Sequence, residues 1–501
     1  MSIGQLPMDR SASCRFGGRT MRTSRRVLRR VPIMPPAASP TSNSSPTSLS
    51  NEARAKLFRV ARKEHRKLYA RLVRAVQEAE APDLGGSPAR GRICRAEALQ
   101  RRFLSSFNVK LVFLDRANQR LRVQHRRTRE ELVGIAGELD LFTDIDEEVR
   151  LTARLKSSGG TRIIHSFGLR RRAAQMMVDA ALRPYVPSRT DPRQKTLSSA
   201  VGTAGTHVVA RDIKTSIDRG ARWVHELDIT NCFPSLDRSL LLREGFTPGN
   251  QQSGTEGGLP VPRRLPLPRR VLENVVLADQ PNLTPIPTRN TNRPYGTHIG
   301  PLGVMIAARE GVAQGSHCSS IVAEFVIGDM LRVFPDAGVI RTFADNVFVS
   351  HEKKKVVCVI STALIRVFDA LSAGRIILRE RQRPRKVSDG VNVLGYRIVR
   401  RMSETLIGPS RENVAKLRGK LHRSLGAPGR SGVISVAPII KMIRQWSGAF
   451  TEWEGGSSGF MPYMWCSIWA EWHLGQRAHS ISRAIMNHRL TYKSAANTDY
   501  L

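Results

Sequence analysis

Residues 339–350 read V-I-R-T-F-A-D-N-V-F-V-S. Two apolar arms, VIRTF and VFVS, flank one polar pair, Asp345-Asn346. Arms of this kind around a short polar break predict a β-hairpin with Asp345-Asn346 at its turn. Two other stretches bear on what such a hairpin is for. Residues 223–229, W-V-H-E-L-D-I, form a short apolar strand that ends on Asp228, where a carboxylate is costly unless it has a partner such as a metal. Residues 311–320, G-V-A-Q-G-S-H-C-S-S, form a glycine-containing loop entering a helix, I-V-A-E-F-V-I-G-D-M-L. Gly311 and Gly315 let its backbone come close to a ligand.

Each stretch alone has an ordinary explanation. A lone strand aspartate is commonly a cap or an ion pair, and Asp-Asn is a frequent turn pair. Their order is more specific. A strand aspartate, a Gly-Gln loop before a helix, and a hairpin aspartate are what two-metal phosphoryl transfer requires, since separated carboxylates must converge on two Mg²⁺ ions about 4 Å apart. Mg²⁺ takes hard oxygen ligands and keeps several waters, so few protein ligands suffice.

The charge balance points to a polyanionic partner. Lys and Arg number 80 against 42 Asp and Glu, a net charge of +38. That excess is well beyond what solubility needs, and nucleic acid is the usual counterpart. Only +7 of it sits in the first 50 residues, so a basic tail is not its source. The six cysteines are scattered without metal-ligand spacing, which argues against structural zinc and against a disulfide framework. No run of about 20 apolar residues suggests a membrane span, and the expected location is cytoplasmic. An Arg/Ser-rich N-terminus nearly free of acid reads as a disordered basic tail, or as a transit peptide that would make the location mitochondrial.

Along the chain, residues 31–50 are an uncharged Pro/Ser linker. Structure is expected to start near Asn51, where Leu57, Ala61, Leu68, Leu72 and Val76 make a helical stripe with a basic opposite face. Residues 81–93 read as a turn-rich break, RLKSSGGTRIIH as strand-turn-strand, and LRRRAAQMMVDAALRPYV as a helix ended by Pro187. Residues 245–270 and 279–300 look like long loops around a short helix, Arg270–Leu277. A helix is expected over 356–371. Trp446, Phe450 and Trp453, and again Trp465, Trp469 and Trp472, fall at i, i+4, i+7 and suggest two packed aromatic helices.

Taken together these stretches resemble the reverse transcriptases, the RNA-directed DNA polymerases, and in particular their bacterial, group II intron-like branch. D-I-T-N-C-F-P-S-L-D (228–237) is similar to that family's first palm motif, and G-V-A-Q-G-S-H-C-S to its Q-G-x-x-x-S motif. F-A-D-N stands where the family has tyrosine, any residue and two aspartates. V-L-G-Y (393–396) resembles the primer grip; K-S-S-G-G-T-R-I-I (156–164) and L-R-R-R-A-A-Q-M-M-V-D-A-A-L-R-P (169–184) resemble finger motifs; G-T-H-V-V-A-R-D-I (205–213) resembles the segment before the first palm strand. R-Q-W-S-G-A-F-T-E-W (444–453) is more weakly similar to the start of a helical thumb.

The resemblance implies an α+β right-hand polymerase fold: a disordered basic tail and linker at 1–50, an N-terminal helical extension at 51–94, fingers at 95–225, a palm with a split-βαβ sheet at 226–404 carrying a loop-rich insertion at 245–300, and a helical thumb with a C-terminal tail at 405–501. Asp228 and Asp345 match the metal-binding aspartates, with the Ile229 carbonyl a further ligand for two Mg²⁺ ions, or Mn²⁺. Lys156 and Arg162 match residues that hold the incoming triphosphate, and Gln314 and Gly315 match residues that line the nucleotide pocket. Phe233 matches the aromatic under the sugar, whose ring would collide with a 2′-hydroxyl and so selects deoxynucleotides. Leu394, Gly395 and Tyr396 match the primer grip. Two positions depart from the pattern. Phe343 replaces tyrosine and loses only a hydroxyl; Asn346 replaces the second catalytic aspartate and removes a negative charge beside the metals.

The implied activity is extension of a DNA or RNA primer with dNTPs on an RNA template, with a dedicated non-coding or intron RNA as a further partner. The expected setting is an intron maturase, a retron or phage defence; the absence of an endonuclease motif or zinc-binding tail after the thumb favours defence or a domesticated role. Two other readings compete: a polymerase-shaped nucleic-acid-binding protein with little synthesis, and an RNA-dependent RNA polymerase, which Phe233 and the Q-G-x-x-x-S pattern disfavour.

Overall fold

A computed structural model describes residues 50–81, 89–155, 161–186, 205–242, 265–279, 282–285, 301–331, 340–372 and 374–426, together with Arg193 and a few positions between 441 and 452. The tail and linker at 1–49, Lys156, the greater part of the 245–300 insertion, and Trp453, Trp465, Trp469 and Trp472 lie outside the described residues.

Helix α1 spans Asn51–Glu80, where the Ser50 side chain accepts from the Ala53 N–H and caps it. Of the stripe expected from its spacing, Ala61, Leu68, Leu72 and Val76 are buried and Leu57 is half-buried, with Phe58 and His65 turned inward beside them. Helices α2 (Ala89–Ser105), α3 (Phe107–Gln119) and α4 (Arg129–Glu138) follow, and α4 begins with a reciprocal capping box between Thr128 and Glu131. The break expected over 81–93 is therefore shorter at its far end, because Ala89–Ile93 are already helical.

Strands β1 (Val149–Leu155) and β2 (Thr161–Phe167) pair antiparallel, Leu155 opposite Thr161, as the strand-turn-strand pattern requires. Helix α5 (Leu169–Leu182) stops five residues short of Pro187, because Pro184 sits in a 3₁₀ turn, Arg183–Tyr185, that ends it. Then come α6 (Thr206–Asp218), β3 (Trp223–Ile229), the short α7 (Cys232–Ser235) and α8 (Arg238–Leu242), and α9 (Arg269–Val271), which continues as a π turn over Leu272–Val276. Strand β4 (Leu283–Pro285) runs parallel to β1, and α10 (Pro301–Ala308) packs on this sheet.

The central sheet is built from β3, β5 (Ile340–Phe343), β6 (Asn346–His351) and β7 (Leu378–Glu380), with helix α11 (Ser319–Leu331) before β5 and α12 (Lys354–Ser372) after β6. Its order is β5-β6-β3-β7, all neighbours antiparallel, and the two-residue β8 (Arg385–Lys386) extends the β7 edge by pairing with β3. A β-α-β-β-α-β chain in this strand order is a split β-α-β unit. The sheet alternates as a half-covered sheet must. Leu227, Ile229, Val347, Val349, Ile340 and Leu378 belong to one buried core with Ile321 and Val322 of α11 and Leu364 and Phe368 of α12. Glu226 and Asp228 take the other parity of β3, and their face is the polar one at this end.

Strands β9 (Val391–Val393), β10 (Tyr396–Arg401) and β11 (Glu404–Pro409) form a third sheet, which packs with α6 and Phe348 in a second core; α13 (Arg411–Gly426) follows it. The 404/405 boundary suggested by the resemblance falls at the first residue of β11. Trp446 and Phe450 touch, with ring centres 4.9 Å apart, and Phe450 packs edge-on against Tyr396 of this sheet; the helix expected to carry both does not reach Phe450, because the chain turns at Ala449, whose N–H donates to the Trp446 carbonyl. The architecture is mixed α+β with several small sheets. Among the described residues no helix is long and apolar enough to cross a membrane.

Candidate active site at the β3–β6 strand ends

The two aspartates meet because of strand register. Asp228 on β3 lies opposite Asn346 on β6, and the Ile229 N–H donates to the Asp345 carbonyl at 2.8 Å. The turn is Ala344-Asp345, one residue earlier than the hairpin reading placed it: Phe343 pairs with Asn346, so Asn346 already belongs to β6. Ala344 bends the chain with φ 53°, a left-handed conformation that costs a residue with a Cβ about 1–2 kcal/mol. Asn346 Nδ2 donates to Asp345 Oδ1 at 2.9 Å, which ties the Asp345 carboxylate to the strand pair that carries Asp228. The register thus brings Asp228, Asp345 and Asn346 to neighbouring positions at the strand ends.

The asparagine has a partner that the sequence did not announce. Arg381, one residue past β7, donates from one guanidinium nitrogen to Asn346 Oδ1 at 3.1 Å and to Glu226 Oε1 at 2.8 Å. Its own N–H donates to the Glu226 carbonyl, so the backbone holds it there. An aspartate at 346 could not donate to Asp345; the amide can, and Arg381 fixes which way the amide faces. Glu226 is the second missed residue. It shares the Asp228 face at a spacing of two, and burial raises its carboxyl above the usual range, helped by the Asp228 charge and opposed by Arg381. That spacing was the available signal. Arg381 had none, being 35 residues from Asn346 in the chain.

Near the carboxylates lies Cys232, buried; burial first, then the charges of Asp345 and Asp228, push its thiol well up, so it stays protonated. Among the described residues no group of three or more His, Cys, Asp or Glu side chains is arranged to hold a metal ion. The donors offered at the strand ends are two carboxylates and a backbone carbonyl, all oxygen. That set suits Mg²⁺, which completes its shell with water.

A short loop joins this site to the β1–β2 hairpin. Gly311, φ 63°, lies so close to the turn at Phe233 and Pro234 that a Cβ would stand 2.2 Å from the Phe233 carbonyl oxygen. There the Val312 N–H donates to that carbonyl at 2.9 Å. At the other end Gly315, φ 105°, would put a Cβ 2.6 Å from the His165 carbonyl, and the His165 N–H donates to the Gln314 carbonyl at 2.8 Å. Ser319 Oγ closes the loop onto the Ala313 carbonyl at 2.7 Å. Arg162 and Gln314 line one small pocket with Asn231, Pro234 and Glu310, about 110 Å³ in volume. That is room for a phosphate-sized group, a few waters' worth. Gln314 Oε1 is buried there with no hydrogen-bond partner among the described residues, an acceptor of the kind a ligand satisfies. Phe233 is half-buried, one residue before Pro234, and packs on the main core.

The third sheet holds Leu394, Gly395 and Tyr396, expected from the resemblance at the primer grip, apart from these. Leu394 (φ 49°) and Gly395 (φ 95°) form the two-residue turn between β9 and β10. Tyr396 is fully buried and donates its hydroxyl to the Ala449 carbonyl at 2.8 Å.

No protein-family model matches the chain. No curated protein matches it either.

Proposed function

We propose that the chain is an RNA-directed DNA polymerase, with the split β-α-β unit as its palm, the β1–β2 hairpin as part of its fingers, and the segment after β11 leading into its thumb. The observation that carries this is the register Asp228–Asn346 with Asp345 at the adjoining turn. It brings a carboxylate on one strand beside a carboxylate at the adjoining turn, on a sheet whose other face is closed by helices.

Asp228, Asp345 and the Ile229 carbonyl would hold two Mg²⁺ ions, or Mn²⁺, which when bound activate the primer 3′-hydroxyl and neutralise the leaving pyrophosphate. Arg162 binds the incoming dNTP through its phosphates, in the pocket it shares with Gln314. Lys156, beyond β1, supplies a second cation in this reading. Phe233 closes the space a 2′-hydroxyl would need, so dNTPs are favoured over NTPs. The basic surface grips the RNA template and the DNA or RNA primer by phosphate contacts. A bound non-coding RNA and a role in phage defence or a mobile element extend the same proposal.

A second reading, a polymerase-shaped binding protein with little synthesis, is favoured by one observation: Asn346 offers its amide N–H to Asp345 and its oxygen to Arg381, so neither adds negative charge at the strand ends.

Primed RNA templates, labelled dNTPs or NTPs, and Mg²⁺ or Mn²⁺ separate the readings. The polymerase reading expects dNTP incorporation that Asp345→Ala abolishes. RNA binding without incorporation under either metal would overturn it and leave the binding protein; selective use of NTPs would make the product RNA.

A further inference from the structure

A second pocket lies between α1, α3, α5 and the loop before α11, with a volume of about 490 Å³. That is within the range of small-ligand sites. Its floor is aromatic. The rings of His65 and Tyr69 stack at 6.2 Å with 9° between their planes, and Phe113 meets His65 edge-on at 5.4 Å. Burial, with the Arg116 and Arg66 guanidiniums near, pulls the His65 imidazole down to about 4, so the floor is uncharged at neutral pH.

The rim is cationic. Arg116 lies over the Phe113 ring at 5.1 Å, and Arg183 is held by Asp179 at 2.8 Å. Arg120, one turn beyond Arg116 and exposed, has a side chain with no hydrogen bond or ion pair among the described residues. The pocket therefore carries three arginines against one carboxylate. His317 completes the rim; burial lowers its imidazole, Asp179 opposes, and Arg120, Arg183 and Arg172 reinforce. Cations converge on the mouth and flat rings line the floor.

An inorganic anion has no use for the floor, whereas a nucleotide brings a planar base for the rings and a phosphate for the arginines. We propose that this pocket binds a nucleotide, its base on the His65–Tyr69–Phe113 floor and its phosphate on Arg120, with Arg116 and Arg183 beside it. The nucleotide is either a free mononucleotide or an unpaired residue of a strand; both present the same base and phosphate. His317 belongs to the same loop as Gln314, so occupancy touches the segment that lines the other pocket. Met176, Asp179, Arg183 and His317 lie in stretches that carry the polymerase resemblance, but none of the residues lining this pocket has a role in the proposed reaction.

The full-length protein is titrated with AMP and, separately, with single-stranded tetra-adenylate, as wild type, Arg120→Glu, Arg120→Ala and Asp345→Ala. Saturable binding is expected, weakened by about tenfold or more in Arg120→Glu and by less in Arg120→Ala, since one charge-assisted hydrogen bond is lost. Asp345→Ala leaves it unchanged, which separates this pocket from the strand-end carboxylates. Photocrosslinking with 8-azido-AMP labels the segments around Tyr69 and Phe113. Tighter binding of tetra-adenylate identifies a strand as the source, and equal or tighter binding of AMP a free nucleotide. Equal affinity of wild type and Arg120→Glu, or crosslinks confined to other segments, overturns the proposal.

Discussion

The Phe343–Asn346 and Val393–Tyr396 hairpins each turn through two residues, and each places a residue other than glycine at positive φ, Ala344 at 53° and Leu394 at 49°. Beyond the turn they differ. The first delivers Asp345 and Asn346 to a face they share with Asp228, Glu226 and Arg381. The second delivers Tyr396 to a core, where its ring meets Phe450 and its hydroxyl the Ala449 carbonyl. Similar backbone economy brings polar side chains to an open face in one case and anchors a core in the other. The side chain after the bend decides which, according to whether the sheet face it joins is covered.

That contrast should survive a crossed pair of substitutions, which carries the largest effects. Asp345→Ala is expected to lower dNTP incorporation by about a hundredfold or more, as loss of a metal ligand does, with the melting temperature unchanged. Tyr396→Ala is expected to cost about 3–5 kcal/mol of stability, read by denaturant unfolding, because a fully buried ring and its hydrogen bond go together. If Tyr396→Ala left stability intact while Asp345→Ala lowered it, the assignment of roles to the two hairpins would be reversed.

Next in size is Arg381. Arg381→Ala releases Asn346 and Glu226 together, and incorporation should fall about tenfold, in kcat rather than in the dNTP KM, with Arg381→Lys recovering part of it. An unchanged kcat would reduce Arg381 to an ordinary surface ion pair. The smallest effect compares the turns themselves. Ala344→Gly relieves a left-handed Cβ and should stabilise by at most about 1 kcal/mol. Leu394→Gly should give no such gain, since Leu394 packs against the second core. A gain at both positions would mean that Leu394 contributes nothing by packing.

What the sequence made legible was local or periodic. The α1 stripe, the β1–β2 pair, the strand ending on Asp228 and the hairpin arms each follow from spacing within about ten residues, and each is in the structure. The mixed α+β class followed from them. The strand order was not legible, because nothing local tells β3 to sit between β6 and β7. Arg381 was beyond reach for the same reason: β7 is three residues long, mostly charged, and carries no alternation. The turn was misplaced by one residue because Ala344 is a poor predictor of positive φ; pairing with β3 sets the hairpin register, overriding the residue's own preference. Cys232 gave no signal, since its place near the carboxylates depends on the left-handed Asn231 that swings the chain back.

The loop from Gly311 to Gly315 has no slack: neither end has room for a methyl group. Such a link behaves as a strut. If the β1–β2 hairpin tilts toward a bound phosphate, the strut pushes the Phe233 turn by a comparable distance, because a hydrogen bond at each end must move or break. On the polymerase reading, holding the triphosphate and testing the sugar would be a single adjustment, and a substrate that failed one would disturb the other.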